Sequence, residues 1–156
     1  MSVHQEVLKS MQEMAAQFSG MGIALQLPPN STKTMGTEYV EIEMGKMLTA
    51  KFLFNSQFMN PIQMFQGGLI CAAFDEVFGP LTYMSAGRPV VTLEMSTSFV
   101  RPFTTKDEFI TIKAEVVSKT KTVILLRAEA KTKEGKLVAT ATNHSLIMSD
   151  ANLNKK

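Results

Sequence analysis

The segment NPIQMFQGGLICAAFDE, residues 60–76, combines two adjacent glycines, an apolar run and a terminal acidic pair. Leu69, Ile70, Cys71, Ala72, Ala73 and Phe74 leave no polar face, and a helix apolar all round is a buried one. The pattern predicts a helix that starts at Gly67-Gly68, although glycine forfeits about 1 kcal/mol of helix propensity per residue. Two reasons would compensate. The helix start packs closely against a strand, or a ligand oxygen approaches free backbone N–H groups with no Cβ in the way. The unpaired amides and positive dipole end of a helix suit an anion or oxyanion. Asp75 lies about two turns further on, with Glu76 rotated about 100° from it. One of them can face the core or a cleft while the other faces solvent or a partner. A carboxylate so placed is a nucleophile or general base, or else part of a structural ion pair. Gly79-Pro80 removes a helix donor and predicts an end or kink near Phe78, with LTYMSA (81–86) able to continue the helix.

Outward from this segment the elements follow in order. Val3, Val7, Leu8, Met11, Met14, Ala15 and Phe18 recur at helical intervals, and Ser19-Gly20 supplies the stop. Residues 21–36, centred on LPPNS, read as a loop. TEYVEIEM (37–44) predicts a strand with Tyr39, Glu41 and Glu43 on one face and Val40, Ile42 and Met44 on the other. LTAKFLFN (48–55) is its hairpin partner across Gly45-Lys46-Met47. Four more strands are expected at 90–100, 108–118, 122–132 and 136–148. Ile110, Ile112, Ala114 and Val116 share one face of the second of these, and Ile124, Leu126, Ala128 and Ala130 one face of the third. Strands joined by short turns pair antiparallel, and one apolar helix among them belongs against the sheet as the core. The expected class is α+β: a curved antiparallel sheet of five or six strands around a long helix, with an extra N-terminal helix.

Composition narrows the function. At 156 residues, 45% hydrophobic and 19% charged, the chain is expected to form one domain burying roughly 70% of its unfolded surface. Its expected parts are an N-terminal helix (1–20), a core (37–148) and a tail (149–156). The net charge is +2 and the sixteen basic residues are scattered, which argues against a nucleic-acid partner and leaves small phosphorylated ligands open. Cys71 is the only cysteine, so no intrachain disulfide forms and a reducing compartment fits. The charge-free stretch 52–74 is broken by Asn55, Gln57, Asn60, Pro61, Gln63 and Gln66, which argues against a membrane span. With no secretory leader pattern at the N-terminus, the expected location is cytoplasmic.

The segment resembles the hotdog-fold acyl-CoA thioesterases of the phenylacetate-pathway, PaaI-like type. In that family Asn-Pro precedes His-Gly-Gly, and an acidic residue follows nine positions beyond the His on the central helix. Here Asn60-Pro61 matches the first element, Gln66-Gly67-Gly68 occupies the second, and Asp75 stands at the spacing of the third. VTLEMSTSFVRPF (91–103) and the strands after it extend the resemblance over residues 37–148. The resemblance implies hydrolysis of an acyl-CoA thioester, with Asp75 as nucleophile or as the base that activates water. Asp75 would face the active site of a neighbouring subunit, so a homodimer or homotetramer is implied. Gly68, with Gly67, would hold the thioester oxygen. Asn60, which Pro61 pushes into an extended conformation, would hold water or the carboxylate; a loop Asn can equally bond its own backbone. Thr92 falls where a Ser or Thr assists the attacking water in some members, and Thr is also a good strand former.

Two positions depart from the family pattern. Gln66 replaces the His and can hydrogen-bond a carbonyl but cannot carry a proton. Gln63 stands where the family has Gly. Arg88 and Arg101 would meet the phosphates of coenzyme A, or are solvated surface charges. The coenzyme would arrive as part of the substrate, with no resident cofactor and no metal expected. His4 and His144 have no ligand cluster at metal spacing and read as structural. Cys71 reads as a small core residue. The many methionines, Met59, Met64, Met84 and Met95 among them, read as an adaptable apolar lining or as core filler. A non-catalytic acyl-CoA-binding or sensing protein, or a purely structural domain, are the competing expectations.

Overall fold

A computed structural model describes residues 1–19 and 26–149. Helix α1 (Val3–Ser19) is followed by a short α2 (Asn30–Met35), the hairpin β1 (Glu38–Glu43) and β2 (Met47–Leu53), and the long α3 (Gly67–Ala86). Strands β3 (Val90–Phe99), β4 (Phe109–Lys119), β5 (Val123–Thr132) and β6 (Leu137–Ile147) complete the chain. The six strands form one sheet in the order β1-β2-β4-β5-β6-β3, every neighbouring pair antiparallel. It curves around α3, which touches every strand from β2 to β6. The expected α+β architecture holds, with six strands.

The period-two faces read from sequence point inward. Ile110, Ile112 and Ala114 of β4 and Ile124, Leu126, Ala128 and Ala130 of β5 are buried. They share one core with Ile70, Phe74, Val77 and Leu81 of α3. Burying each such large side chain contributes about 1.5–3 kcal/mol, so this layer supplies most of the driving force for folding. Helix α1 packs on β1 and α3 and buries Val7 and Phe18.

Three local expectations change. Helix α3 does not end near Phe78 but runs on to Ala86, where Gly87 caps it at φ 62° and donates its N–H to the Tyr83 carbonyl. Pro80 leaves the Glu76 carbonyl without its helical donor, and the buried Tyr39 hydroxyl donates to that oxygen at 3.4 Å. Second, β1 carries a bulge between Tyr39 and Glu41, so Tyr39 pairs with Ala50 and Ile42 with Leu48. An inserted residue flips the alternation, which turns Tyr39 and Ile42 to the same side and leaves Val40 exposed. Third, α2 forms inside the expected loop: its Thr32 is buried and donates to Glu76 Oε2 at 2.7 Å. Residues 20–25 of that loop and 150–156 of the expected tail lie outside the described residues.

Candidate active site

The start of α3 is set by the loop before it. Phe54, Phe58, Phe65 and Phe103 form an aromatic cluster, with Phe65 and Phe103 centroids 5.0 Å apart and Phe54 and Phe103 5.2 Å apart. The backbone N–H of Phe65 donates to the Phe103 carbonyl, and that of Gln66 to the Phe58 carbonyl, each at 2.9 Å. The loop thereby delivers Gln66 as the N-cap of α3, in an extended conformation and with no side-chain capping bond. The amides of Leu69 and Ile70 bond to the Gln66 carbonyl, while those of Gly67 and Gly68 find no acceptor among the described residues. Two donors at the positive end of a twenty-residue helix are left open.

The two glycines have different surroundings. A Cβ on Gly67 would stand 3.2 Å from the Phe99 ring of β3, so its absence serves packing. A Cβ on Gly68 would meet nothing within 4 Å, and Gly68 is exposed. Both reasons weighed for the glycine pair thus have a residue. Asn60 is occupied locally: its Oδ1 accepts the backbone N–H groups of Ile62 and Met64 at 3.1 and 3.0 Å, shaping its own loop. Gln63 takes φ 63°, the left-handed conformation that glycine adopts without strain.

The acidic pair divides its duties. Glu76 Oε2 accepts from Thr32 Oγ1 at 2.7 Å and from Thr37 Oγ1 at 3.5 Å, clamping α2 and the start of β1 to α3. Burial, and then the Glu76 carboxylate, push the Tyr39 phenol well above its ordinary range. Asp75 is exposed, and Thr92 Oγ1 of β3 donates to its Oδ1 at 3.2 Å. The structure therefore joins Thr92 to Asp75 across seventeen positions of sequence. It does not join Asp75 to Gly68 within one chain, because seven residues of helix separate them by about 10.5 Å.

The remaining candidates lie elsewhere. Arg88 follows the far end of α3, where its Nε donates to the Met148 carbonyl at 3.1 Å. Arg101 is exposed just after β3, close in sequence to the Phe99 that packs on Gly67. His144 Nδ1 lies 3.2 Å from Glu94 Oε2, and His4 Nδ1 accepts the Tyr39 backbone N–H at 3.2 Å. Cys71 is half-buried.

The sequence model of the Thioesterase superfamily matches residues 65–139, from the loop before α3 into β6. Over that stretch this chain is similar to the superfamily, and its fold is the hotdog fold. No curated protein matches the chain in sequence. Among solved structures, AziG of S. sahachiroi superposes on this hotdog chain with a TM-score of 0.74 at 23% identity, covering 79% of this chain and 98% of that one. The PaaI protein of E. coli, from the phenylacetic acid degradation operon, gives 0.73 at 18% identity, covering 88% and 95%. A phenylacetic acid degradation-related protein of Ralstonia eutropha JMP134 gives 0.70 at 25% identity, covering 82% and 96%.

Some residues that shape this hotdog site carry no motif. The Phe54, Phe58, Phe65 and Phe103 cluster assembles side chains up to 49 positions apart, and only the fold brings them together. Thr32 sits in a segment that reads as loop, and no local pattern announces its bond to Glu76.

Proposed function

We propose that this protein hydrolyses an acyl-CoA thioester to the free acid and CoA, as a PaaI-type thioesterase acting in the cytoplasm as a homodimer or larger homo-oligomer. Coenzyme A arrives as part of the substrate, and no resident cofactor takes part. The observation that carries this reading is one helix with two open amides at its start and an exposed carboxylate two turns on, itself held by Thr92.

The chemistry follows from those groups. The thioester oxygen sits against the Gly68 N–H, with Gly67 beside it, and its negative charge grows there as the carbonyl carbon turns tetrahedral. Loss of one such donor typically costs about 3 kcal/mol. Asp75 takes a proton from water, whose oxygen bonds to the carbonyl carbon. The C–S bond then breaks, and the thiolate leaves with the proton that Asp75 returns. In direct attack, Asp75 Oδ bonds to the carbonyl carbon, the C–S bond breaks and the CoA thiolate leaves. Water then cleaves the mixed anhydride, which frees the acid, restores the Asp75 carboxylate and supplies the proton that the thiolate takes up. In either route Thr92 keeps the carboxylate oriented. Gln66 contributes hydrogen bonds only, and Arg101 is the nearer of the two arginines for a phosphate.

A reacting carbonyl must lie about 3 Å from both its oxyanion donor and its attacking group. The 10.5 Å or so between Gly68 and Asp75 of one chain is too long. The site is therefore completed by Asp75 from a second copy. The free side of β3, at the end of the sheet, supports such pairing, because it presents Val91, Leu93 and Phe99 at 45, 59 and 52% exposure. Exposed apolar edges of this kind mark association surfaces.

The test is turnover of a panel of acyl-CoAs by wild type and Asp75→Asn. The expected outcome is a drop in kcat of about 10²–10⁴ with acyl-CoA binding retained; equal rates would sink the assignment of Asp75. Gln66, exposed and without a proton to give, favours one second reading, a non-catalytic acyl-CoA-binding protein. Tight binding by wild type with no turnover would establish it.

A further inference from the structure

A cavity of about 210 Å³ lies between α1, the segment before α2, and α3. Its apolar walls are Met11 and Met14 of α1, Leu27, and Gly79, Pro80 and Tyr83 of α3, with Asp75 and Glu76 also on its lining. Positions 75, 79 and 83 are four residues apart and so form one stripe along the helix. From Asp75 to Tyr83 that stripe runs about 12 Å. The cavity therefore begins at the carboxylate assigned to catalysis and extends away from it beneath the N-terminal helix.

We propose that this cavity receives the acyl tail of the substrate, and that α1, which lies outside the matched superfamily region, sets the tail length accepted. The proposal rests on the thioesterase reading, since it places the tail relative to a thioester attacked by Asp75. Size and chemistry define the class. The cavity holds roughly seven water-sized groups, which fits an apolar tail of roughly six to eight carbons. Two carboxylates on the lining repel a tail that itself ends in a carboxylate, so the acyl group is uncharged. Glu76 is already bound by Thr32 and Thr37, which leaves Asp75, held by Thr92 of β3, as the carboxylate that faces the thioester. Two flexible thioethers in the wall suit tails of differing shape.

Gly79 makes the idea testable without disturbing the core. A Cβ there meets nothing within 4 Å and Gly79 lines the cavity, so a larger side chain has room to start into it. Straight-chain acyl-CoAs from acetyl to dodecanoyl are assayed with wild type, Gly79→Leu and Met14→Ala. In parallel, methionine-methyl NMR follows wild type on adding CoA alone or the non-hydrolysable octyl-CoA thioether. The expected result is that the octanoyl-to-butyryl ratio of kcat/KM falls about ten-fold or more in Gly79→Leu. Met14→Ala moves the optimum to longer tails, and the Met11 and Met14 methyl signals shift with the thioether but not with CoA. If wild type turns over acyl-CoAs and neither variant moves the ratio, the cavity assignment is overturned while the thioesterase reading stands. If wild type turns over nothing but the methyl signals shift with the thioether, hydrolysis fails and the cavity assignment holds. Absence of both turnover and shifts overturns both.

Discussion

A methyl group added to Gly67 would stand 3.2 Å from the Phe99 ring, whereas one on Gly68 would meet nothing within the protein. The two substitutions therefore separate packing from chemistry. Gly68→Ala gains helix propensity without a clash, while in Gly67→Ala the crowding against Phe99 offsets that gain. Gly68→Ala should be the more stable of the two by about 1 kcal/mol. Its methyl group nevertheless obstructs the oxygen that must reach the amide, so kcat/KM should fall roughly ten- to a hundred-fold. Thermal melts and steady-state kinetics on both variants check this. If activity simply tracks stability across the pair, Gly68 has no role at the oxyanion. At the same scale, Gln63 keeps the left-handed backbone of a glycine position, so the loop geometry survives the replacement of the glycine that the family pattern has there.

At the scale of elements, α3 stays continuous through Gly79-Pro80 because another element supplies the missing donor. The Tyr39 hydroxyl reaches the Glu76 carbonyl from β1, and Thr32 of α2 holds the Glu76 side chain. Burial and the Glu76 charge keep the Tyr39 phenol protonated well above its ordinary value. In the unfolded chain Tyr39 releases its proton near pH 10, while the folded chain holds it. The folded state then binds more protons, and stability falls as pH rises. Above about pH 10, wild type should lose up to about 1.4 kcal/mol per pH unit more than Tyr39→Phe. Urea melts of both proteins between pH 8 and 11 measure the difference, and parallel curves would contradict it. What was legible in the sequence follows the same divide. The last four strands lie within two residues of their expected ends, since β-branched runs, alternation in β4 and β5 and the Glu134-Gly135 turn are local signals. The short α2 and the β1 bulge depend on tertiary partners, so no window of sequence contains them. The passage of α3 through LTYMSA is one of two courses the sequence leaves open, and the Tyr39 hydroxyl favours it. Asp75 stood out by spacing, but that Asp75 is the exposed carboxylate while Glu76 is tied into the fold is decided by Thr32, 44 positions away from Glu76.

At the scale of the molecule, the two edges of the sheet differ. The β1 edge bears Glu38, Glu41 and Glu43 and is packed by α1, whose His4 takes the Tyr39 amide. The β3 edge bears exposed Val91, Leu93 and Phe99. Charge and cover discourage pairing at the first, and apolar exposure invites a second copy at the second. Symmetric pairing would give two sites, each with Gly68 from one chain and Asp75 from the other. The most direct test coexpresses Asp75→Asn and Gly68→Val chains under different tags and isolates the mixed dimer. Each parent is expected to be inactive, but the mixed dimer contains one site with both groups intact. It should recover about half the wild-type rate if the site is shared across a two-fold dimer. A mixed dimer as inactive as its parents would contradict the shared site.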